Sequence, residues 1–137
     1  MNANIIPTLR YRNAPRMLEW LVEAFGFARH AVHEDGKGGI AHAQLTLNGG
    51  MIMLASARDD AFGKVQSTPA ALGGSTQSPY IVVEDADEIC ARALTAGAKI
   101  VMPLKDEDYG GRGFSCRDPE GHIWNFGTYD PWKKPQA

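Results

Sequence analysis

The chain repeats itself at about half its length, and this limits the folds it can adopt. Asn13-Ala14, suited to begin a helix, recurs as Asp85-Ala86, 72 residues later. The turn glycine Gly50 recurs as Gly121 after 71 residues. Around these markers each half reads strand, helix, strand, strand, strand. The expected fold is therefore α+β, with two βαβββ modules at about 4–56 and 78–130 joined by a linker. Each module leaves an apolar sheet face that it cannot bury alone, so the modules must pack on each other or on a partner chain. The 137 residues are expected to form a single domain with a substantial core.

The elements follow from local chemistry. Ile5–Tyr11 is β-compatible. Asn13 supplies an N-cap, Pro15 sits in the first turn where a missing N–H costs nothing, and Gly26 provides the stop. Between them Met17, Leu18, Leu21, Val22 and Phe25 share one helical face. Phe27–His33 is a strand, Ile40–Leu47 alternates apolar and polar residues, and Asn48-Gly49-Gly50 turns it into Met51–Ala55. Residues 56–78 have no period and read as a linker, with a short helical piece near Asp59–Phe62. In the second module, Pro79–Val83 is a strand. Asp85 and Glu88 form a capping box, Gly97 ends the helix, and Lys99–Met102 is a strand stopped by Pro103. A polar loop, Leu104–Gly111, leads to the last two strands.

Composition narrows the function. The chain is 44% hydrophobic and 22% charged with a formal net charge of −2, and it has no basic cluster of the kind that binds nucleic acid. No apolar run reaches membrane-spanning length, and MNANIIPTLRYR lacks the build of a signal peptide, so a cytoplasmic location is expected. Cys90 and Cys116 are far apart, outside any zinc spacing, and read as buried small hydrophobes. Gly36-Lys37-Gly38-Gly39 joins two strands and opens no helix, so it is not a phosphate-binding loop.

The closing stretch, GGRGFSCRDPEGHIWNFGTY, is a hairpin turned on Asp118-Pro119-Glu120-Gly121. Two βαβββ modules ending in DPEGH, then Trp124, Phe126 and Gly127-Thr128, resemble the vicinal oxygen chelate superfamily of glyoxalases, bleomycin-resistance proteins and extradiol dioxygenases. The resemblance covers Ile5 to Tyr129. It implies a curled mixed sheet around a cleft, commonly completed by a homodimer. Enzymes of that superfamily hold a divalent metal through His, Gln or Glu, one from the first and one from the last strand of each module. The corresponding positions here are Ile6, Met53 or Leu54, Ser78 or Pro79, and Asn125. Such a set cannot neutralise a divalent cation, so neither a metal nor another cofactor is expected.

The leading expectation is a metal-free protein binding a small, partly aromatic or acidic molecule, and no catalytic residue is assigned. The alternative is a divergent metal-dependent lyase, isomerase or dioxygenase. By the resemblance, Arg10 offers a planar donor fork, while Tyr109, Arg112 and Phe114 flank the second module's cleft. Met53 and Asn125 occupy former ligand positions, and Trp124 offers a stacking surface, although strand parity sets it opposite Asn125. The partners expected are a small-molecule ligand and a second copy of the chain, with neither nucleic acid nor membrane.

Overall fold

Asn13 Oδ1 accepts a hydrogen bond from Arg16 N at 3.3 Å, and Gly26 takes the left-handed conformation (φ 84°) that ends the helix. Helix α1 (Ala14–Phe25) thus starts and stops where its cap residues stand. The computed structural model describes residues 3–133, and the strand and helix order occurs twice. In the first module α1 follows β1 (Thr8–Tyr11) and precedes β2 (Ala28–Glu34), β3 (Ile40–Leu47) and β4 (Gly50–Ser56). Asn48 (φ 51°) and Gly49 (φ 81°) both take positive φ, which matches the twist of the β3–β4 hairpin. The sheet order is β1-β4-β3-β2, with β1 parallel to β4 and the other pairs antiparallel.

The linker holds one short helix, α2 (Pro69–Leu72), capped by Thr68. It lies beyond the Asp59–Phe62 piece expected from the sequence. There, Asp60 Oδ1 instead accepts from Gly63 N at 2.8 Å and closes a turn. The second module comprises β5 (Tyr80–Val82), α3 (Ala86–Thr95), β6 (Lys99–Asp106), β7 (Arg112–Arg117) and β8 (Ile123–Gly127), ordered β5-β8-β7-β6. β6 runs through Pro103, where the sequence reading ends it. It is an edge strand with register shifts between Ile100 and Met102 and between Met102 and Lys105, so the missing N–H is tolerated.

Helices α1 and α3 pack on each other, and one continuous core fills the space between the sheets. Its inter-module centre is aromatic. Phe25 lies 4.7 Å from Phe126 and 5.4 Å from Trp124, while Phe27 lies 5.8 Å from Trp124. Burying one such ring fully stabilises the fold by roughly 1.5–3 kcal/mol. Trp20 Nε1 donates to Ala96 O at 2.7 Å, and Arg92 of α3 donates to Glu23 O and Val22 O at the end of α1. Packing within one chain therefore meets the requirement that the halves cover each other. The two sheets remain separate, and each keeps one face outside the core. Among the described residues, no helix is long and apolar enough to cross a membrane.

Candidate functional site

Strand alternation in the second module sends Phe114, Cys116, Trp124 and Phe126 into the core. The opposite face carries a row across the sheet, Met102–Ser115–Asn125–Tyr80, whose members face one another in register. Beside it Gly113 pairs with Gly127. A Cβ on Gly127 would run into the Tyr80 hydroxyl, so the glycine lets the Tyr80 ring lie over the strand. Above this floor is a pocket of about 230 Å3 walled by Tyr80, Tyr109, Tyr129, Met102 and Pro103. Tyr80 Oη donates to Tyr129 O at 2.7 Å, and the Tyr109 and Tyr129 rings meet edge-on at 4.9 Å.

Asn125 is fixed at both ends of its amide. Its Nδ2 donates to Ser78 Oγ at 2.8 Å and to Pro79 O at 3.0 Å, and its Oδ1 accepts from Ser115 Oγ at 2.6 Å. At the rim Arg112 donates to both carboxylate oxygens of Asp87 and to Asp106, which raises its guanidinium above the ordinary value. Lys105 faces Glu107 at 3.8 Å. Tyr109, Arg112 and Asn125 thus meet at one pocket. Phe114, expected beside them, instead turns its ring into the core, stacked 5.3 Å from Phe126, because strand alternation puts it on the opposite face of β7 from Ser115. Trp124 does not join them. It is fully buried on the other side of β8, and its indole donates to Asp118 Oδ2 at 3.0 Å, so its role is structural.

Arg10 and Met53 lie on the open face of the first sheet, away from this pocket. Arg10 sits 4.9 Å over the Phe62 ring and donates to Ser56 O at 3.3 Å, and burial together with Arg58 lowers its pKa. The same face brings His33 opposite His42, with rings stacked at 6.2 Å, and Gln44 Nε2 donates to His42 Nε2 at 3.0 Å. The sequence alone does not pair these histidines, because the β2–β3 register depends on an extra residue in β2 between Arg29 and Ala31.

The backbone relates to one another the four positions that the resemblance marks as ligand positions. Met53 N donates to Pro7 O at 2.9 Å, and Asn125 N donates to Pro79 O at 3.0 Å. Pro7 and Pro79 are therefore equivalent, as are Ile6 with Ser78 and Met53 with Asn125. An aliphatic chain, a thioether, a hydroxyl and an amide already engaged on three bonds do not fit a divalent cation. Among the described residues, no three His, Cys, Asp or Glu side chains form a group able to hold one.

The DPEGH segment has a use that its turn chemistry does not disclose. Buried Asp118 accepts from Tyr11 Oη at 2.6 Å, from Trp124 Nε1, and from the amides of Glu120 and His122. Glu120 accepts from Arg12 N at 2.6 Å and Asn13 N at 2.8 Å, and His122 Nε2 donates to Arg10 O at 2.9 Å. Three side chains of one hairpin therefore clasp the end of β1 and the start of α1. Tyr11 keeps its proton, because burial and the Asp118 charge push its pKa well above the ordinary value.

A family model described as "Glyoxalase/Bleomycin resistance protein/Dioxygenase superfamily" matches residues 6–126. The uncharacterised protein Mb0911c of Mycobacterium bovis is 33% identical over 121 residues, spanning 88% of this chain and 80% of that protein. The crystal structure of TioX from Micromonospora sp. ML1 is 33% identical, with a TM-score of 0.72 over 91% of this chain and 97% of that one. The fosfomycin resistance protein FosX from Mesorhizobium loti shares the fold at 15% identity, with a TM-score of 0.66 over 96% of this chain and 94% of that one.

Proposed function

The chain belongs to the glyoxalase/bleomycin resistance protein/dioxygenase superfamily, and from that premise we propose that it binds a small, planar, aromatic molecule without using a metal. The observation that carries this reading is the tyrosine-walled pocket standing over Asn125, at a position where the superfamily's enzymes keep a metal ligand. An apolar surround with a few fixed polar groups is how proteins orient small ligands. Edge and face contacts with tyrosine contribute about 0.5–1.5 kcal/mol each beyond burial. The purpose that fits is sequestration of an antibiotic or a metabolite.

At about 230 Å3 the pocket is smaller than most ligand sites, which span roughly 300–1,000 Å3. In this reading a second copy supplies the missing wall. The open face of its first module, bearing Arg10 and Met53, covers the pocket of the second module in a homodimer. Two buried free thiols, Cys90 and Cys116, suit a reducing cytoplasm.

Equilibrium dialysis of the purified chain against nickel, zinc, cobalt and manganese, with bound metal counted, tests the metal-free part. No stoichiometric uptake is expected. Tight stoichiometric binding, or metal-dependent turnover of a hemithioacetal or catechol, would overturn it in favour of a divergent lyase, isomerase or dioxygenase. Sedimentation at micromolar concentration tests the homodimer, and a monomer that binds aromatic ligands at full affinity would remove it.

A further inference from the structure

The pocket floor is one-sided in its hydrogen bonding. An asparagine amide has two N–H donors and an oxygen with two lone pairs, and a serine hydroxyl has one donor and two lone pairs. Both Asn125 N–H groups are used, on Ser78 Oγ and Pro79 O. The Ser115 hydroxyl hydrogen is used on Asn125 Oδ1, and the Tyr80 hydroxyl hydrogen on Tyr129 O. Asn125 Oδ1 keeps one lone pair, and Ser115 Oγ keeps its own. The cationic donors stand at the rim, where Asp87 and Asp106 hold Arg112 and Glu107 faces Lys105.

We propose that this acceptor floor, Asn125 Oδ1 with Ser115 Oγ, selects planar aromatic ligands that carry their own donor, a phenolic O–H or a ring N–H. A ligand that presents an ether oxygen or a carboxylate there meets lone pair with lone pair and leaves buried acceptors unpaired. The arrangement specifies the ligand class without an ion pair. Its register is set by the three strands that fix the row from Ser115 to Tyr80. The inference rests on the pocket being an aromatic-binding site, as proposed above.

Amide shifts of the full chain, followed by NMR during titration with naphthol, its methyl ether and naphthoate at neutral pH, test it. Naphthol is expected to bind roughly tenfold more tightly than the ether, the value of one hydrogen bond, with shifts centred on Ser115, Asn125 and Gly127. Naphthoate is expected to bind weakest. Asn125→Leu should bring naphthol down to the affinity of its methyl ether, and the ligand series on the unaltered chain decides the question even if that variant does not fold. Equal binding of naphthol and ether would overturn the donor selection and leave the aromatic site standing. Tightest binding by naphthoate would overturn it in favour of acid recognition at the rim. Absence of shifts with all three would remove the aromatic site itself, and the selection with it.

Discussion

Tyr11 Oη donates to Asp118 Oδ2 at 2.6 Å across 107 residues, joining the last residue of β1 to the first residue of the DPEG turn. Neither group is exposed, and the Tyr11 ring also meets His122 edge-on at 4.8 Å. Tyr11→Phe keeps the ring and removes one donor from a buried carboxyl. A loss of about 1–3 kcal/mol in chemical denaturation is expected. A change below roughly 0.5 kcal/mol, the range of ordinary surface substitutions, would show that the clasp does not join the modules energetically.

Asp118 also makes stability depend on pH. Burial pushes its carboxyl above the ordinary value, while the Tyr11 and Trp124 donors and nearby His122 pull it back. A carboxyl raised in the fold contributes stability that is fully present below the unfolded value, near about 3.9, and is lost as pH rises through the folded value. The advantage of the wild type over Asp118→Asn in unfolding free energy should therefore widen as pH falls from neutral towards about 4. A gap that narrows on acidification would mean that the four donors outweigh burial.

Much of this fold is legible in the sequence because its signals are local. The Asn13 cap, the Gly26 stop, the Ile40–Leu47 alternation and the DPEG turn each rest on chemistry within a few residues. What is hidden is long-range. A proline reads as a strand end unless the strand is known to lie at an edge, as β6 does. Asp118 and Glu120 read as turn residues because their partners, Tyr11, Arg12 and Asn13, lie more than a hundred residues away. Of the candidate site, strand parity correctly separates Asn125 from Trp124, and the pocket gathers Tyr109, Arg112 and Asn125. Tyr80 and Tyr129 escape notice, since only the folded chain lays the Tyr80 ring over Gly127 and brings its hydroxyl to Tyr129 O.

Gly127→Ala tests how far the pocket depends on a missing side chain. The new Cβ would displace the Tyr80 hydroxyl from its bond to Tyr129 O. Affinity for naphthol should fall on the order of tenfold, the equivalent of one hydrogen bond. Unchanged affinity with a folded protein would mean that Tyr80 does not form a wall of the binding site.

The two thiols should be inert in the folded chain. Burial, assisted by the Asp118 charge, pushes Cys116 up to about 12, and burial raises Cys90 as well. Thiolate, the reactive form, is therefore scarce in the fold. Reaction with a disulfide reagent at mildly alkaline pH should proceed only as fast as the chain unfolds, and both thiols should react at once in denaturant. Rapid labelling of Cys116 in the native protein would contradict its burial.

Pro103 interrupts the outer edge of the second sheet, within one register shift and just after another, and Lys99 and Lys105 lie along the same strand. An edge strand ordinarily offers its free N–H and C=O groups to any strand that comes alongside, which is the route to cross-β fibres. Here that template has a missing donor, bulges and ammonium groups, so copies cannot stack strand upon strand at β6. The chain can expose a largely uncovered sheet face to a ligand without that edge becoming a seed for aggregation.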